Sequence, residues 1–200
     1  MYARSTTFHG RPENIDAGIK MVESEVDPLL SRTAGCLGVS LLVDRDTGYC
    51  ITTSSWETEQ AMSESDEILR PIRERGRDVM GASMQVDSWE IVAMHRTQHA
   101  ACCRVSWIED DVDTITETFR VALLPQLEQI DGFCSASLMI DRTAGLACAT
   151  TAWESREAME ASRMEADKMR ERAADEASGM IVEVHEFDLA YAHLHVPEMA

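Results

Sequence analysis

The chain carries one pattern twice, and this repetition limits its fold more than any other feature. Residues 35–48 (GCLGVSLLVDRDTG) recur 97 positions later as residues 132–145 (GFCSASLMIDRTAG). Residues 53–62 (TSSWETEQAM) recur at the same spacing as 150–159 (TTAWESREAM), and Pro28 recurs as Pro125. A period near half of a 200-residue chain is too long for a solenoid or propeller repeat and is the size of one small domain. The chain therefore reads as two like domains, residues 1–98 and residues 99–200, the second ending in a C-terminal tail. Each is small enough that pairing would contribute to a stable core.

Hydrophobic periodicity gives both halves the same order of elements. The first half opens with a strand over 3–8. A helix follows, with Ile15, Ile19, Val22, Val26 and Leu30 at helical spacing and Pro28 near its end. Two β-rich runs, Cys36 to Val43 and Tyr49 to Trp56, flank the turn-forming Asp44 to Gly48 and predict a hairpin. Pairing Val43 with Tyr49 sets Leu41 opposite Ile51 and Ser40 opposite Thr52. Thr58 is placed to cap a second helix, which Gly76 ends, and a last strand runs over 83–94. The second half repeats this with strands over 102–108, 133–140, 146–153 and 180–189, a helix from Val112 to Ile130, a helix capped by Ser155, and a tail over 191–200.

Each half is thus β-α-β-β-α-β, the ferredoxin-like order, and the class is α+β. One sheet face takes the helices, and the other must be covered. The simplest cover is the matching face of the other half, which gives an eight-stranded α+β barrel inside one chain. No Gly/Pro-rich or Ser-rich linker marks the seam near 97–100, so the halves read as packed rather than tethered.

The net charge of −18 argues against nucleic acid and against anionic membrane surfaces, both of which need a basic patch. No run of about 18 apolar residues suggests a membrane-spanning helix, and the N-terminus lacks the apolar core of a secretory signal, so a cytoplasmic protein is expected. The six cysteines form no Cys-x-x-Cys pair and lie in apolar runs, where they read as small buried hydrophobes. No cluster has metal-ligand spacing, and no metal site is expected. His193 and His195 lie in the tail, too few and too loosely held to make one.

The stretches ITTSSWETEQAM (51–62) and CATTAWESREAM (148–159), each crossing from a strand into a helix, resemble the antibiotic biosynthesis monooxygenase group of the dimeric α+β barrel superfamily. The resemblance implies the same barrel. It also implies a site beside Trp56 and Trp153, with Ser65 and Ser162 at the helical position where haem-degrading members carry a histidine. Met159 and Met169 would line a plastic cavity in the second half. With Ser in place of that histidine, and no Asn on either first strand, no cofactor is expected and haem is disfavoured. Oxygenation without a cofactor needs an apolar pocket, an acidic aromatic substrate and a base. His185, which aligns with Trp89 if the last strands are shifted by one residue, and His95 are the candidate bases, with His9 a further one. Packing alone also accounts for a Trp that ends a strand against a helix.

The leading reading is a protein that binds a small hydrophobic or aromatic ligand and acts as a cofactor-independent monooxygenase. A non-catalytic ligand-binding or stress-related barrel is the alternative, and a haem-binding protein is third. The smaller Ala147, Ala149, Ala152 and Ala166 predict the roomier cavity in the second half. Self-association beyond the fused barrel is compatible with the sequence.

Overall fold

The computed structural model describes residues 1–168 and 180–199. Among the described residues eight strands are present: β1 (Tyr2–His9), β2 (Cys36–Val43), β3 (Tyr49–Trp56), β4 (Ser83–Arg96), β5 (Cys102–Glu109), β6 (Phe133–Asp141), β7 (Leu146–Trp153) and β8 (Met180–Leu194). Their hydrogen-bonded order, β1-β3-β2-β8-β5-β7-β6-β4, closes as a barrel. The protein is an α+β barrel of ferredoxin-like repeats carried on one chain.

Two compact units divide the chain. Unit 1 is Met1–Trp89 with Asp188–Val196, and unit 2 is Glu90–Phe187 with Pro197–Ala200. In unit 1, β1 pairs with β3 and β3 with β2, all antiparallel, and β2 pairs with residues 188–194 of β8. In unit 2, β5 pairs with β7 and β7 with β6, and β6 pairs with residues 90–96 of β4. Strands β4 and β8 therefore each contribute to both units.

Unit 1 packs α1 (Ile15–Met21), α2 (Asp27–Leu30), α3 (Glu59–Glu64) and α4 (Asp66–Met80) on its sheet. Between α1 and α2, Val22–Val26 form a π turn, and Pro28 follows at once. Proline has no N–H to donate, and the widened turn keeps the helical path past that missing bond. Unit 2 has α5 (Val112–Thr118), a π turn at Phe119–Leu123, α6 (Leu124–Leu127) containing Pro125, and α7 (Arg156–Ala161). Thr58 and Ser155 cap α3 and α7 by accepting from the N–H groups of Ala61 and Ala158. The core of unit 2 joins Ile115, Phe119, Leu138 and Trp153. Unit 1 has one cluster around Ile15, Val43 and Met80 and another around Leu30, Val39 and Trp56. All six cysteines are free, and all but Cys36 are buried.

Four details differ from the sequence reading. The β2–β3 hairpin pairs Val43 with Cys50, not Tyr49, so Leu41 faces Thr52 and Ser40 faces Thr53. The Asp44 carboxylate accepts from the N–H groups of Asp46 and Thr47 and fixes a longer turn. A one-residue slip moves side chains to the opposite sheet face, so Ser40 and Thr52 do not share one. Second, α4 continues through Gly76 and stops at Gly81, whose φ of +58 supplies the left-handed C-terminal cap. Third, 191–194 is not a tail but the end of β8. Its close pairing depends on Gly38, where a Cβ would lie 2.0 Å from the His193 carbonyl oxygen. Fourth, β6 pairs Ile140 with Glu90 whereas β2 pairs its counterpart Val43 with Asp188. Phe187, not His185, is therefore the equivalent of Trp89, and both are buried.

A candidate ligand cavity in unit 1

Alternation along a strand sends every second side chain to one face. In unit 1 this puts Arg4, Thr6 and Phe8 of β1, Leu41 and Val43 of β2, and Cys50, Thr52 and Ser54 of β3 on the face that carries the helices. Between that face and α1, the π turn and α4 lies a cavity of about 70 Å³. Its helical wall includes Ile15, Ile19, Val22 and Val26, and opposite them Leu69, Ile72, Arg73, Gly76 and Met80. The π turn supplies two of these residues, in line with the recurrence of such turns at functional sites.

The walls are mainly apolar, with Thr6 and Thr52 midway along the sheet, and the charged groups gather at one end. Arg4 donates from Nη1 to Ser65 Oγ at 3.1 Å, and Ser65 Oγ donates to the Met62 carbonyl at 2.7 Å. Ser54 Oγ accepts from the Trp56 indole N–H at 3.0 Å. Asp66 receives hydrogen bonds from Arg70 and Arg73, while Arg4 Nη1 stands 3.8 Å from the same carboxylate. The hydrogen bond from Arg70, aided by Arg73, holds the Asp66 carboxyl below its usual pKa in spite of burial. Burial and the nearby Arg73 lower the pKa of Arg4, yet a guanidinium remains charged. Burial pushes the Cys50 thiol up to about 12, so it is a neutral thiol at physiological pH.

Trp56 and Ser65 sit immediately behind this end of the cavity, buried, and reach it through Ser54 and Arg4. Their counterparts in unit 2 have equivalent neighbours. Trp153 donates to Thr151 Oγ1 at 3.3 Å, and Ser162 accepts from Arg104 Nη1 at 3.2 Å. Met159 is buried, and its carbonyl accepts from Arg104 Nη2 at 2.8 Å. Met169 lies outside the described residues. The sequence reading put the roomier cavity in the second half, but part of the wall expected there falls in 169–179, also outside the described residues. The cavity described here is in unit 1.

The histidines are elsewhere. His95 bonds Glu198 through Nδ1, and its Nε2 lies 2.9 Å from Glu128 Oε1 without hydrogen-bond geometry. His185 bonds Glu183 through Nε2 at 2.5 Å and meets the edge of Trp107. His9 packs on the Tyr49 ring. None of the three lines the cavity. The lining holds no histidine, and burial keeps its one cysteine, Cys50, protonated. Among the described residues no group of three or more His, Cys, Asp and Glu is placed to hold a metal ion.

Sequence reasoning missed Arg4, Arg73 and Ser54. A lone arginine in a strand reads as a solvated charge. The usable signal was structural equivalence: Arg4 pairs with Ser54, and Arg104 with Thr151, the residue 97 positions beyond Ser54.

The α+β barrel fold is shared with several solved structures. A candidate monooxygenase from Lactobacillus acidophilus has a TM-score of 0.68 at 11% identity, over 97% of this chain and 96% of its own. An anthrone oxidase-like protein also has a TM-score of 0.68, at 14% identity over 100% and 94%. A Listeria monocytogenes ferredoxin-fold protein related to antibiotic biosynthesis monooxygenases has 0.55 at 9% identity, over 94% of both. At these identities the likeness establishes the fold. The chain belongs to the family of the uncharacterised Mycobacterium tuberculosis proteins Rv2557 and Rv2558. It is 45% identical to Rv2557 over 205 residues, covering 100% of this chain and 92% of that one. It is 43% identical to Rv2558 over 208 residues, covering 100% and 87%. No family model matches the chain.

Proposed function

We propose that this protein binds a small hydrophobic, aromatic molecule in the unit 1 cavity. The observation that carries the reading is the cavity itself: mainly apolar walls from sheet and helices, with its charged groups at the Arg4 end. That is the usual composition of a small-molecule site, where apolar area supplies affinity and a few polar groups fix orientation. Met21 and Met80 in the wall can change rotamer and enlarge the space for a ring.

The finer reading is oxygenation without metal or flavin, supported by the monooxygenase-like names of the fold neighbours. The ligand would lose a proton from carbon, and the resulting carbanion would pass its electrons to dioxygen. One oxygen atom stays on carbon as a carbonyl, and the other leaves with the two removed hydrogens as water. Arg4 would stabilise the anion as it forms. The lining includes no Asp, Glu or His, so the substrate must be acidic enough to ionise without a dedicated base. The same observation favours the alternative, a binding protein without turnover.

Anthrone distinguishes them. Titration followed by tryptophan fluorescence reports binding, and an oxygen electrode reports uptake. Saturable quenching with oxygen uptake above the protein-free rate supports the oxygenase, quenching without uptake supports the binding protein, and no saturable quenching refutes both.

A further inference from the structure

Resting on that cavity reading, we propose that the ligand is an organic anion, an aromatic carboxylate or similar acid. Its acid group would sit on Arg4 of unit 1 as the Glu186 carboxylate sits on Arg104 of unit 2.

The two arginines occupy equivalent ladder positions, opposite Ser54 and Thr151. Both are buried, and both donate to the equivalent serines Ser65 and Ser162. Their remaining donors fare differently. Arg104 donates from Nε to Glu186 Oε1 at 2.9 Å, with Nη2 at 2.8 Å from the same oxygen, and from Nη2 to the Met159 carbonyl. Its charge is thus matched inside unit 2. Among the described residues the Arg4 guanidinium donates one hydrogen bond, to Ser65, and has no carboxylate within hydrogen-bond distance, Asp66 standing at 3.8 Å. The Phe187–Trp89 equivalence makes Ser88 the counterpart of Glu186. Trp89 donates to Ser5 at 2.8 Å, on the opposite face of β1 from Arg4, so alternation turns Ser88 to the Arg4 face. Unit 1 thus has a hydroxyl where unit 2 has the neutralising carboxylate.

Local charge points the same way. Arg4 and Arg73 both face the Asp66 carboxylate at the cavity end, while the exposed Arg70 is also balanced by Glu67 and Glu74 outside the lining. The ionisable residues of the lining are Arg4, Arg73 and the neutral thiol of Cys50. A cationic end on an apolar cavity matches a molecule with an apolar body and one acidic head. Charge-assisted hydrogen bonds to a guanidinium are among the strong ones.

The test uses benzoate and its neutral analogue benzyl alcohol on the full chain, by isothermal titration calorimetry at pH 7.5. The variants are Ser88→Glu, which installs the missing carboxylate at an exposed position, and Arg4→Met. Benzoate is expected to bind the parent protein at least about tenfold more tightly than benzyl alcohol, since charge-assisted bonds contribute about 1.5–3 kcal/mol and 1.4 kcal/mol is tenfold. Ser88→Glu is expected to erase that preference and keep benzyl alcohol binding, and Arg4→Met to erase it as well. Equal affinities in the parent protein, or a preference that survives Ser88→Glu, would overturn the anion and leave the cavity reading standing. Binding of neither probe would overturn both.

Discussion

Gly76 offers the sharpest test of how the cavity is built. It lies inside α4, and an added Cβ would meet Phe8 Cζ at 3.5 Å, Phe8 Cε1 at 3.8 Å and Met21 Cε at 4.0 Å. These are ordinary van der Waals contacts, and no strained backbone angle reserves the position for glycine. Replacing glycine by alanine inside a helix is favourable by about 0.8–1 kcal/mol. Burying the new methyl group against the cavity wall adds up to about 0.8 kcal/mol. Gly76→Ala should therefore stabilise the protein by about 1–2 kcal/mol. At this chain length that raises Tm by roughly 2–4 °C per kcal/mol. The methyl group also occupies cavity space, so affinity for benzyl alcohol should fall while stability rises. Urea unfolding followed by circular dichroism measures the first effect, and an unchanged m-value confirms that the compactness of the denatured state has not changed. Gly10→Ala is the control with the opposite sign, because its Cβ would lie 2.8 Å from the Met80 carbonyl oxygen, which is backbone and cannot easily move. Destabilisation by Gly76→Ala, or stabilisation by Gly10→Ala, would refute this packing.

Other perturbations follow from the same contacts. Glu186→Gln leaves the buried Arg104 cation short of its partner and should cost about 3 kcal/mol or more in urea unfolding. Trp56→Ala and Trp153→Ala each remove a fully buried indole and should cost about 3–5 kcal/mol. Cys50, with its folded pKa raised to about 12, should resist thiol reagents at pH 8 in the native protein and react once unfolded. Because that folded value lies above the unfolded one of about 9, its contribution to stability is complete below pH 9 and is lost as pH rises towards 12. Asp66 has the opposite sign: its folded pKa is lowered, so its contribution is present above the ordinary carboxylate range and lost on acidification, a dependence that Asp66→Asn should remove.

Much of the fold was legible because local chemistry and tertiary structure agree. The strands β2, β3 and β7 fall where alternation and turn residues put them, and Thr58 and Ser155 cap their helices as their spacing implies. What was missed depends on partners distant in sequence. The hairpin register turned on how many residues Asp44 ties into its turn, a side-chain effect that a strand pattern does not carry. The end of β8 reads as a tail until β2 is seen to supply its hydrogen bonds. The cavity's charged end was hidden for a related reason. The repeat spacing is 97 in the hairpins, but Arg4 and Arg104 differ by 100, so only the ladder aligns them. Of the residues chosen from the family pattern, Trp56 and Ser65 lie just behind the cavity, and Ser54 and Arg4, which connect them to it, carry no family signature.

The most direct test of the account is a methyl NMR titration with benzoate, using protein labelled at Ile, Leu, Val and Met methyl groups. Saturable shifts are predicted at Ile19, Leu69, Ile72 and Met80, which line the unit 1 cavity, with Leu138 and Ile140 of unit 2 unmoved. Shifts confined to unit 2, or none that saturate, would contradict it.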